Sequence, residues 1–294
     1  MALTRRQAIV GLVVVSAVWG ASFTIIKEAL GPLSPMALLA VRFLLAAAIA
    51  LPAFRGLSRR ELGPGLLIGL LFWLGFVFQT MGLAHTTPSR SAFVTGLSTP
   101  LVPVVMLLVY RRRPALVTVA GVGLAMAGLW LLTRPEPGAA VNRGDLLTLG
   151  CAVAFAGQMV AVGHFARRVE PRHLLAVQLL LTGVLSLATA PLLETPRWGA
   201  SPALALAVLF LAVSAVTTFG FQLRAQQTVS PAQTALVFAL EPAFAALTSF
   251  LVLGERLGAT QWLGGGLIVL AMLLPELPGL RAPRDASVRA APPA

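Results

Sequence analysis

The chain consists of long apolar runs separated by short polar turns. Near its end, the runs TALVFALEPAFAALTSFLVL and ATQWLGGGLIVLAMLL flank the polar turn Gly254–Gly258. A helix needs about 20 mostly apolar residues to cross a bilayer, and both runs approach that length. The same pattern along the whole chain predicts ten transmembrane helices, at 8–28, 34–54, 64–84, 89–109, 115–133, 146–166, 173–193, 202–224, 231–252 and 259–276.

The amino-acid composition agrees with this pattern and gives no indication of a soluble domain. Hydrophobic residues make up 57% of the 294 residues and charged residues 11%, and the mean hydropathy is +0.88. The chain is therefore far more apolar than a soluble domain, and no stretch is polar enough to form one beside the membrane part. We predict an all-α integral membrane protein that is surrounded by a lipid bilayer.

The net charge of +12 does not indicate a nucleic-acid partner. The basic residues stand singly or in short turns, whereas a nucleic-acid site clusters them on one face. Cytoplasmic loops of membrane proteins carry an excess of Lys and Arg, and alternate loops here hold 15 and five such residues. Both termini are therefore expected on the cytoplasmic side. The 21 arginines against one lysine fit a GC-rich bacterial genome, so we expect a multi-pass protein of the bacterial inner membrane.

The second half of the chain resembles the first at constant offsets. Pro35 recurs 136 positions later, and Phe76 and Gln79 recur 143 positions later as Phe219 and Gln222. Each unit contains five predicted helices, an odd number, so the second unit enters the membrane from the opposite face. Inverted repeats are typical of alternating-access transporters. The predicted organisation is a first repeat at 1–133, an external linker at 134–145, a second, inverted repeat at 146–276 and a disordered cytoplasmic tail at 277–294.

Short motifs in the first, second, ninth and tenth predicted helices are specific enough to suggest a family. They are Trp19-Gly20-Ala21-Ser22-Phe23, Lys27, Arg42-Phe43, Glu241-Pro242, Gly254-Glu255-Arg256, Gln261 and Gly264. Together they resemble the motifs of the drug/metabolite transporter superfamily, in particular its EamA-type members, which have two five-helix repeats. The first half departs from the family pattern at one turn, where Arg111-Arg112-Arg113 replaces a Gly-Glu pair.

The resemblance implies a secondary transporter. Members of the family export amino acids and other metabolites, or carry nucleotide-sugars and phosphorylated sugars. This chain most resembles bacterial exporters of aromatic and other amino acids, so amino-acid export is the expected function. Transport of nucleotide-sugars, phosphorylated sugars or drug-like cations stays open, and so does a simple channel, because selectivity can be built from backbone groups alone.

Helical pitch indicates which residues face a central path. Residues three and four positions apart share one helix face, and on six predicted helices such a face combines a polar group with aromatic or small residues. A cavity for an amphipathic solute needs mostly apolar walls with a few placed polar groups. The alternative is that these groups only bond neighbouring helices. The predicted substrate-binding residues are Trp19, Ser22, Phe23, Phe76, Gln79, Thr95, Ser98, Phe155, Gln158, Phe219, Gln222, Phe238 and Glu241.

Two ionisable residues lie inside predicted helices. Glu241 stands near mid-depth, where a charge is costly; it is a candidate carrier of a coupling proton, ligand of a substrate ammonium group, or structural partner of another helix. Arg42 is a candidate ligand of a carboxylate or a charge partner of Glu28 or Glu241. The prolines of the fourth and ninth helices are expected to interrupt them. The three histidines flank turns and are expected to contact solvent.

Other classes of protein lack the residues they require. An ATP-driven pump needs a phosphate-binding loop that ends in Gly-Lys-Ser or Gly-Lys-Thr, but the only lysine, Lys27, follows Ile26. An intramembrane serine protease needs a histidine at mid-depth, and none lies there. A zinc enzyme needs clustered ligands, whereas the three histidines and the single cysteine are far apart. The sequence therefore predicts neither an enzyme nor a cofactor or metal site.

Overall fold

A computed structural model of the chain describes residues 3–111, 113–133, 141–253 and 258–277. Apart from one isolated bridge between Leu33 and Trp198, these ranges contain no β-structure. Most of the predicted linker and nearly all of the predicted tail lie outside the described residues, so both stay predictions. The α-helices are α1 (Arg5–Ala29), α2 (Pro35–Ile49), α3 (Arg59–His85), α4 (Pro88–Gly96), α5 (Ser98–Tyr110), α6 (Leu116–Thr133), α7 (Arg143–Phe165), α8 (Pro171–Leu193), α9 (Pro202–Ala225), α10 (Pro231–Phe238), α11 (Glu241–Leu253) and α12 (Ala259–Leu273).

Within the described residues, six helical segments are long and apolar enough, by length and composition, to cross a membrane. Three shorter apolar helices, α2, α6 and α12, and the pair α10 and α11 occupy the remaining predicted spans. The predicted all-helical membrane fold is therefore confirmed. The six segments are Arg5–Ala29, Arg59–His85, Arg90–Tyr110, Arg143–Phe165, Pro171–Leu193 and Pro202–Ala225.

Two predicted helices are broken in the middle, and proline explains where. The fourth is divided into α4 and α5 at Leu97, and the ninth into α10 and α11 after Phe238. Proline has no N–H, and its ring clashes with the carbonyl group four residues earlier. For Pro100 and Pro242, these carbonyl groups belong to Gly96 and Phe238, the last residues of α4 and α10. Each helix therefore ends upstream of this proline, at the level where the second half-helix begins. Pro103, which was also expected to interrupt the fourth helix, lies inside α5, so the expectation is wrong for that proline.

Two other predicted helices end earlier than the apolar pattern indicates. α2 ends at Ile49, and the 3₁₀ helix Leu51–Phe54 completes the predicted span. Pro52 causes this change because it cannot donate the hydrogen bond that would continue the α-helix. α12 likewise ends at Leu273, before the 3₁₀ helix Leu274–Glu276, which also contains a proline. The apolar pattern therefore predicted the length of these two spans, but it did not predict that the C-terminal end of each is a 3₁₀ helix.

Close packing of α3 fixes the centre of the bundle. α3 packs along both α7 and α8, and α2 also packs along α8. A Cβ atom on Gly65 would lie 2.9 Å from the Cβ of Val177, and one on Gly69 would lie 3.0 Å from the Cα of Gln178. Because the two glycines have no side chain, α3 approaches α8 more closely than it could with any larger residue at these positions.

A buried ion-pair contact joins the two halves of the chain at one end of the bundle. We call the end at which α1 begins the N-terminal face. There, His173 Nδ1 lies 2.8 Å from Glu61 Oε1, and Nε2 lies 3.0 Å from the carbonyl oxygen of Arg55. Glu61 also accepts hydrogen bonds from the backbone N–H and the hydroxyl of Ser58 at the start of α3. His173 is 3% exposed, so the prediction that it contacts solvent is wrong.

Charged residues also connect the helices at the opposite face. Lys27 Nζ donates to the carbonyl oxygens of Leu83 at 2.6 Å and Thr86 at 2.9 Å. Arg90 forms an ion pair with Asp145, which also accepts a hydrogen bond from Thr86 Oγ1 at 3.1 Å. These contacts hold the ends of α1 and α3 beside the starts of α4 and α7.

Replacing Gly65 with leucine should destabilise the bundle. A Cβ at this position already meets Val177 at 2.9 Å, and overpacking of this kind costs about 1–3 kcal/mol. We expect a lower melting temperature of the Gly65→Leu variant in detergent. Gly63→Leu on the same helix is the control, because no atom lies within 4 Å of a Cβ built there. An equal loss in both variants would contradict this account of the contact between α3 and α8.

Candidate functional site

A cavity of about 660 Å³, counted with its open part, lies between the helices. The 17 described residues that line it come from α1, α2, α3, α4, α5, α7, α9, α10 and α11. Both broken helices contribute residues from either side of the break, because the breaks lie at the level of the cavity. All 13 predicted substrate-binding residues and Arg42 line it. The structure thus brings the whole predicted set together, while binding of a substrate by these residues stays a prediction.

Three lining residues are absent from the predicted set: Ile26, Gly96 and Met159. Ile26 shares a helix face with Trp19, but an apolar side chain alone gives no sign that it faces a cavity rather than lipid. Gly96 reaches the cavity because α4 ends there. Met159 lies beside a predicted glutamine, and its backbone carbonyl oxygen takes part in a chain of hydrogen bonds described below.

Aromatic rings form two similar walls of the cavity. Trp19 packs against Phe219 with ring centroids 4.8 Å apart, and Phe155 packs against Phe76 at 5.3 Å. The offsets found in the sequence relate Trp19 to Phe155 and Phe76 to Phe219, so the two pairs occupy corresponding positions. Phe76 and Phe219 also contact each other, with centroids 5.8 Å apart. Such tilted and edge-to-face pairs are favourable ring arrangements, and they give the cavity mostly apolar walls.

Two polar side chains of the cavity are held by bonds to neighbouring helices. Trp19 Nε1 donates to Thr218 Oγ1 at 2.9 Å, which joins α1 to α9. Gln79 Nε2 donates to Thr95 Oγ1 at 3.3 Å, which joins α3 to α4. Lining the cavity and bonding another helix are therefore compatible roles, because one side chain performs both.

α1 approaches the break in the ninth predicted helix closely. A Cβ atom on Gly20 would lie 2.7 Å from the carbonyl oxygen of Glu241 and 2.7 Å from the backbone nitrogen of Ala245. Only glycine lacks a Cβ atom, so only glycine permits this contact. As a result, the side chain of Trp19 stands beside the cavity at the level of Glu241.

The cavity contains two ionisable side chains that pair with no described residue. Arg42 is 3% exposed, and its guanidinium carbon lies 4.9 Å from the ring centroid of Phe43 and 5.0 Å from that of Phe76. Its Nε has no hydrogen-bond partner in the described ranges. Glu241 is the first residue of α11, where the helix dipole favours a negative charge, and it too forms no ion pair there. Arg42 is thus paired with neither Glu28 nor Glu241 and rests on aromatic rings instead.

Three glutamine side chains form a hydrogen-bonded chain toward the N-terminal face. Gln226 Nε2 donates to the carbonyl oxygen of Met159 at 2.9 Å, and Gln226 Oε1 accepts from Gln222 Nε2 at 3.2 Å. Gln222 Nε2 also donates to Gln158 Oε1 at 3.3 Å. Gln158 and Gln222 line the cavity, whereas Gln226 lies behind them, fully buried. The spacing of four between Gln222 and Gln226 is the sequence signal that identifies this third member.

Known proteins with related sequences are transporters. The sequence profile of the EamA-like transporter family matches residues 6–134 and, separately, residues 142–275. An "Uncharacterized transporter" of Archaeoglobus fulgidus is 32% identical over 274 residues, which cover 93% of this chain and 87% of that protein. The "Uncharacterized inner membrane transporter YedA" of Escherichia coli K12 is 26% identical over 274 residues, which cover 88% and 87% of the two chains.

A solved structure has the same fold. One crystal structure superimposes with a TM-score of 0.75 and 21% sequence identity, over 92% of this chain and 96% of the other. At this identity the likeness concerns the fold alone. The two matches to the family profile, by contrast, account for nearly all of the chain, one in each half. The chain therefore belongs to the EamA-like transporter family.

Proposed function

We propose that the protein exports small metabolites, above all amino acids, across the bacterial inner membrane by alternating access through the central cavity. Family membership makes it a membrane transporter. The amino-acid substrate and the arrangement of the helices as two inverted repeats go further, and they are supported by the chemistry of the cavity and by the positions of the broken helices. The direction of transport is proposed from the resemblance of the sequence motifs to those of amino-acid exporters.

One observation supports an amino acid above other substrates: a mostly apolar cavity contains one guanidinium and one carboxyl group, neither paired with a described residue. Charges inside a membrane protein are costly unless they find partners, so a solute that brings both opposite charges is favoured. An amino acid brings a carboxylate for Arg42 and an ammonium group for Glu241. Its side chain would then lie against rings such as Phe76 and Phe219.

Other solute classes match the charges of the cavity less well. Nucleotide-sugars and phosphorylated sugars carry several negative charges, for which the described lining residues offer a single cation, Arg42. A drug-like cation matches Glu241 but leaves Arg42 unpaired. A zwitterion satisfies both side chains together, and hydrogen bonds between charged groups are stronger than those between neutral ones.

The broken helices favour a carrier over an open channel. α4 and α10 end at the level of the cavity, and α5 and α11 begin there, so the backbone can bend where the solute binds. Discontinuous helices at the substrate site and related halves are typical of alternating-access carriers. The separate matches of the family profile to 6–134 and 142–275 agree with two repeats of five helices each.

Counterflow in liposomes tests the proposed function. Proteoliposomes loaded with an unlabelled amino acid should accumulate the same labelled amino acid transiently above its external concentration, because a carrier exchanges the two. A simple pore only equalises them, and protein-free liposomes should do neither. The panel should include nucleotide-sugars, phosphorylated sugars and organic cations. Counterflow of one of these without counterflow of any amino acid would contradict the proposed substrate.

Replacing either Gln79 or Gln222 with alanine should impair transport. Both side chains line the cavity, and loss of one hydrogen bond to the solute should lower transport at low solute concentration about three- to tenfold. Folded yield should stay near that of the wild type. Gln227→Ala is the control, because Gln227 does not line the cavity. Normal transport by both cavity variants would mean that these glutamines only hold the helices together.

Replacing Glu241 with glutamine tests whether the carboxyl group carries a coupling proton. The side chain has no cationic partner among the described residues, so a proton is the simplest charge that can neutralise it when no solute is bound. Glutamine keeps the shape and the hydrogen-bonding capacity but cannot titrate. We expect Glu241→Gln to retain exchange at saturating solute, with weaker apparent affinity, and to lose the dependence of net transport on a pH gradient.

Two results would contradict this role of Glu241. One is wild-type transport that does not respond to a pH gradient. The other is a Glu241→Gln variant with unchanged coupling, accompanied by a Glu241→Leu variant with a lower melting temperature, which together would indicate a structural anchor. Glu170→Gln, at an exposed position of the N-terminal face, is the control for loss of an acidic residue.

The topology follows from the distribution of basic residues. Alternate loops carry 15 and five Lys and Arg residues, so we expect both termini, and with them the N-terminal face, in the cytoplasm. A reporter fused after residue 289 should give a cytoplasmic signal, and a reporter inserted at residue 138 should give an external one. An external C-terminus would contradict both the count of ten spans and the inverted repeat.

A further inference from the structure

A single backbone group fixes the orientation of the three buried glutamines. The carbonyl oxygen of Met159 can only accept a hydrogen bond, so Gln226 must present its NH₂ group there, at 2.9 Å. The oxygen of Gln226 then faces Gln222, which must present its own NH₂ group, at 3.2 Å. The same NH₂ group lies 3.3 Å from Gln158, which therefore presents its oxygen. Turning any one of the three amides around would place two donors or two acceptors face to face.

The fixed orientation leaves one donor and one acceptor beside the cavity. Gln158 Nε2 is buried and has no partner among the described residues, and Gln222 Oε1 accepts no hydrogen bond from them. Both side chains line the cavity and are 2% exposed. A buried amide group without a partner is unfavourable, so a solute that pairs with both atoms is favoured over one that cannot.

The glutamine pair and Arg42 lie at different depths of the bundle. The guanidinium carbon of Arg42 lies 5.0 Å from the ring centroid of Phe76, and the rings of Phe155 and Phe219 contact that same ring. Gln158 and Gln222 follow Phe155 and Phe219 by three residues, on helices that both run toward the N-terminal face. The glutamine pair therefore lies about one helical turn, roughly 5 Å, nearer that face than these rings. A solute whose charged head binds near Arg42 therefore directs the far end of a long side chain toward Gln158 and Gln222.

We propose that Gln158 and Gln222 recognise a hydroxyl or primary amide group at that far end, and that Gln226 is the positioning residue that fixes their orientation. Such a group both donates and accepts a hydrogen bond, so it pairs with Gln158 Nε2 and Gln222 Oε1 together. This inference rests on the proposed transport of amino acids through the cavity. It adds that solutes with a polar end are preferred over otherwise identical apolar ones.

Two amino acids that differ by one hydroxyl group test this inference. Purified protein in detergent binds labelled L-phenylalanine, which is displaced by unlabelled L-tyrosine or by unlabelled L-phenylalanine. A site that hydrogen-bonds a hydroxyl group discriminates against the analogue that lacks it, so wild-type protein should prefer tyrosine at least about tenfold. The measured quantity is the ratio of the two affinities, because a general structural defect weakens both probes alike.

Substitutions at Gln226 and at Gln158 should abolish the preference for tyrosine over phenylalanine. Gln226→Met has a similar shape but no amide, so the orientation of Gln222 and Gln158 is no longer fixed, and the ratio should fall to within about threefold. Gln158→Leu removes the free donor itself and should have the same effect, which keeps the test decisive if Gln226→Met does not fold. Gln227→Met is the matched control. The side chain of Gln227 donates to the carbonyl oxygen of Ala166 at 2.8 Å, outside the cavity, so this variant should keep the wild-type ratio.

The outcomes separate the inference from the proposed function. An unchanged ratio in both Gln226→Met and Gln158→Leu, or a wild-type protein that binds both probes equally, overturns the inference. In that case, counterflow of phenylalanine in liposomes leaves the proposed function intact. A wild-type protein that prefers tyrosine but shows no counterflow overturns the transport proposal and supports the recognition of the hydroxyl group. Binding of neither probe overturns the inference for these solutes, and counterflow of the whole panel then decides the proposed function.

Discussion

A proline at mid-depth in each of two helices is the constraint on which the cavity depends. Pro100 and Pro242 cannot donate to the carbonyl groups of Gly96 and Phe238, and α4 and α10 end at those residues. Lipid offers no donor to a freed carbonyl group, so such irregular backbone is tolerated in a membrane only where it is covered by protein or lines a cavity. The breaks therefore lie where seven predicted helices converge, and the cavity lies at the same place.

The two breaks correspond in position but differ in chemistry. Ser98 begins α5 and Glu241 begins α11, and the offset of 143 relates the two positions. Glu241 benefits from the dipole of the helix it begins, and Gly20 lets α1 approach its backbone closely. Among the described residues, only the second half of the chain thus places a carboxyl group at the cavity, beside aromatic walls that are similar in both halves. The carboxyl group of Glu241 therefore makes the two sides of the cavity chemically different, whereas the aromatic rings make them similar.

Rigid contacts around the cavity hold these groups in place. The glycine contact between α3 and α8 and the ring contacts of Phe76 and Phe219 fix the walls. At the N-terminal face, the buried His173 and Glu61 join α8 to the start of α3. The glutamine chain that ends on the carbonyl oxygen of Met159 lies between the cavity and that face. Recognition of a solute in such a setting depends on polar atoms whose orientation the protein fixes before the solute arrives.

The sequence by itself determined the membrane class, the spans and 14 of the 17 described residues that line the cavity. Hydrophobic length and helical pitch are local properties, and the internal repeat allowed the pattern of one half to be compared with that of the other. The tertiary structure decided what depends on the distance between helices. It placed Arg42 on the rings of Phe43 and Phe76 rather than beside an acid, and it buried His173. It also joined Gln226 to Met159, 67 positions apart. Pitch assigns a residue to a helix face, but only packing decides which atom of a neighbouring helix that residue meets.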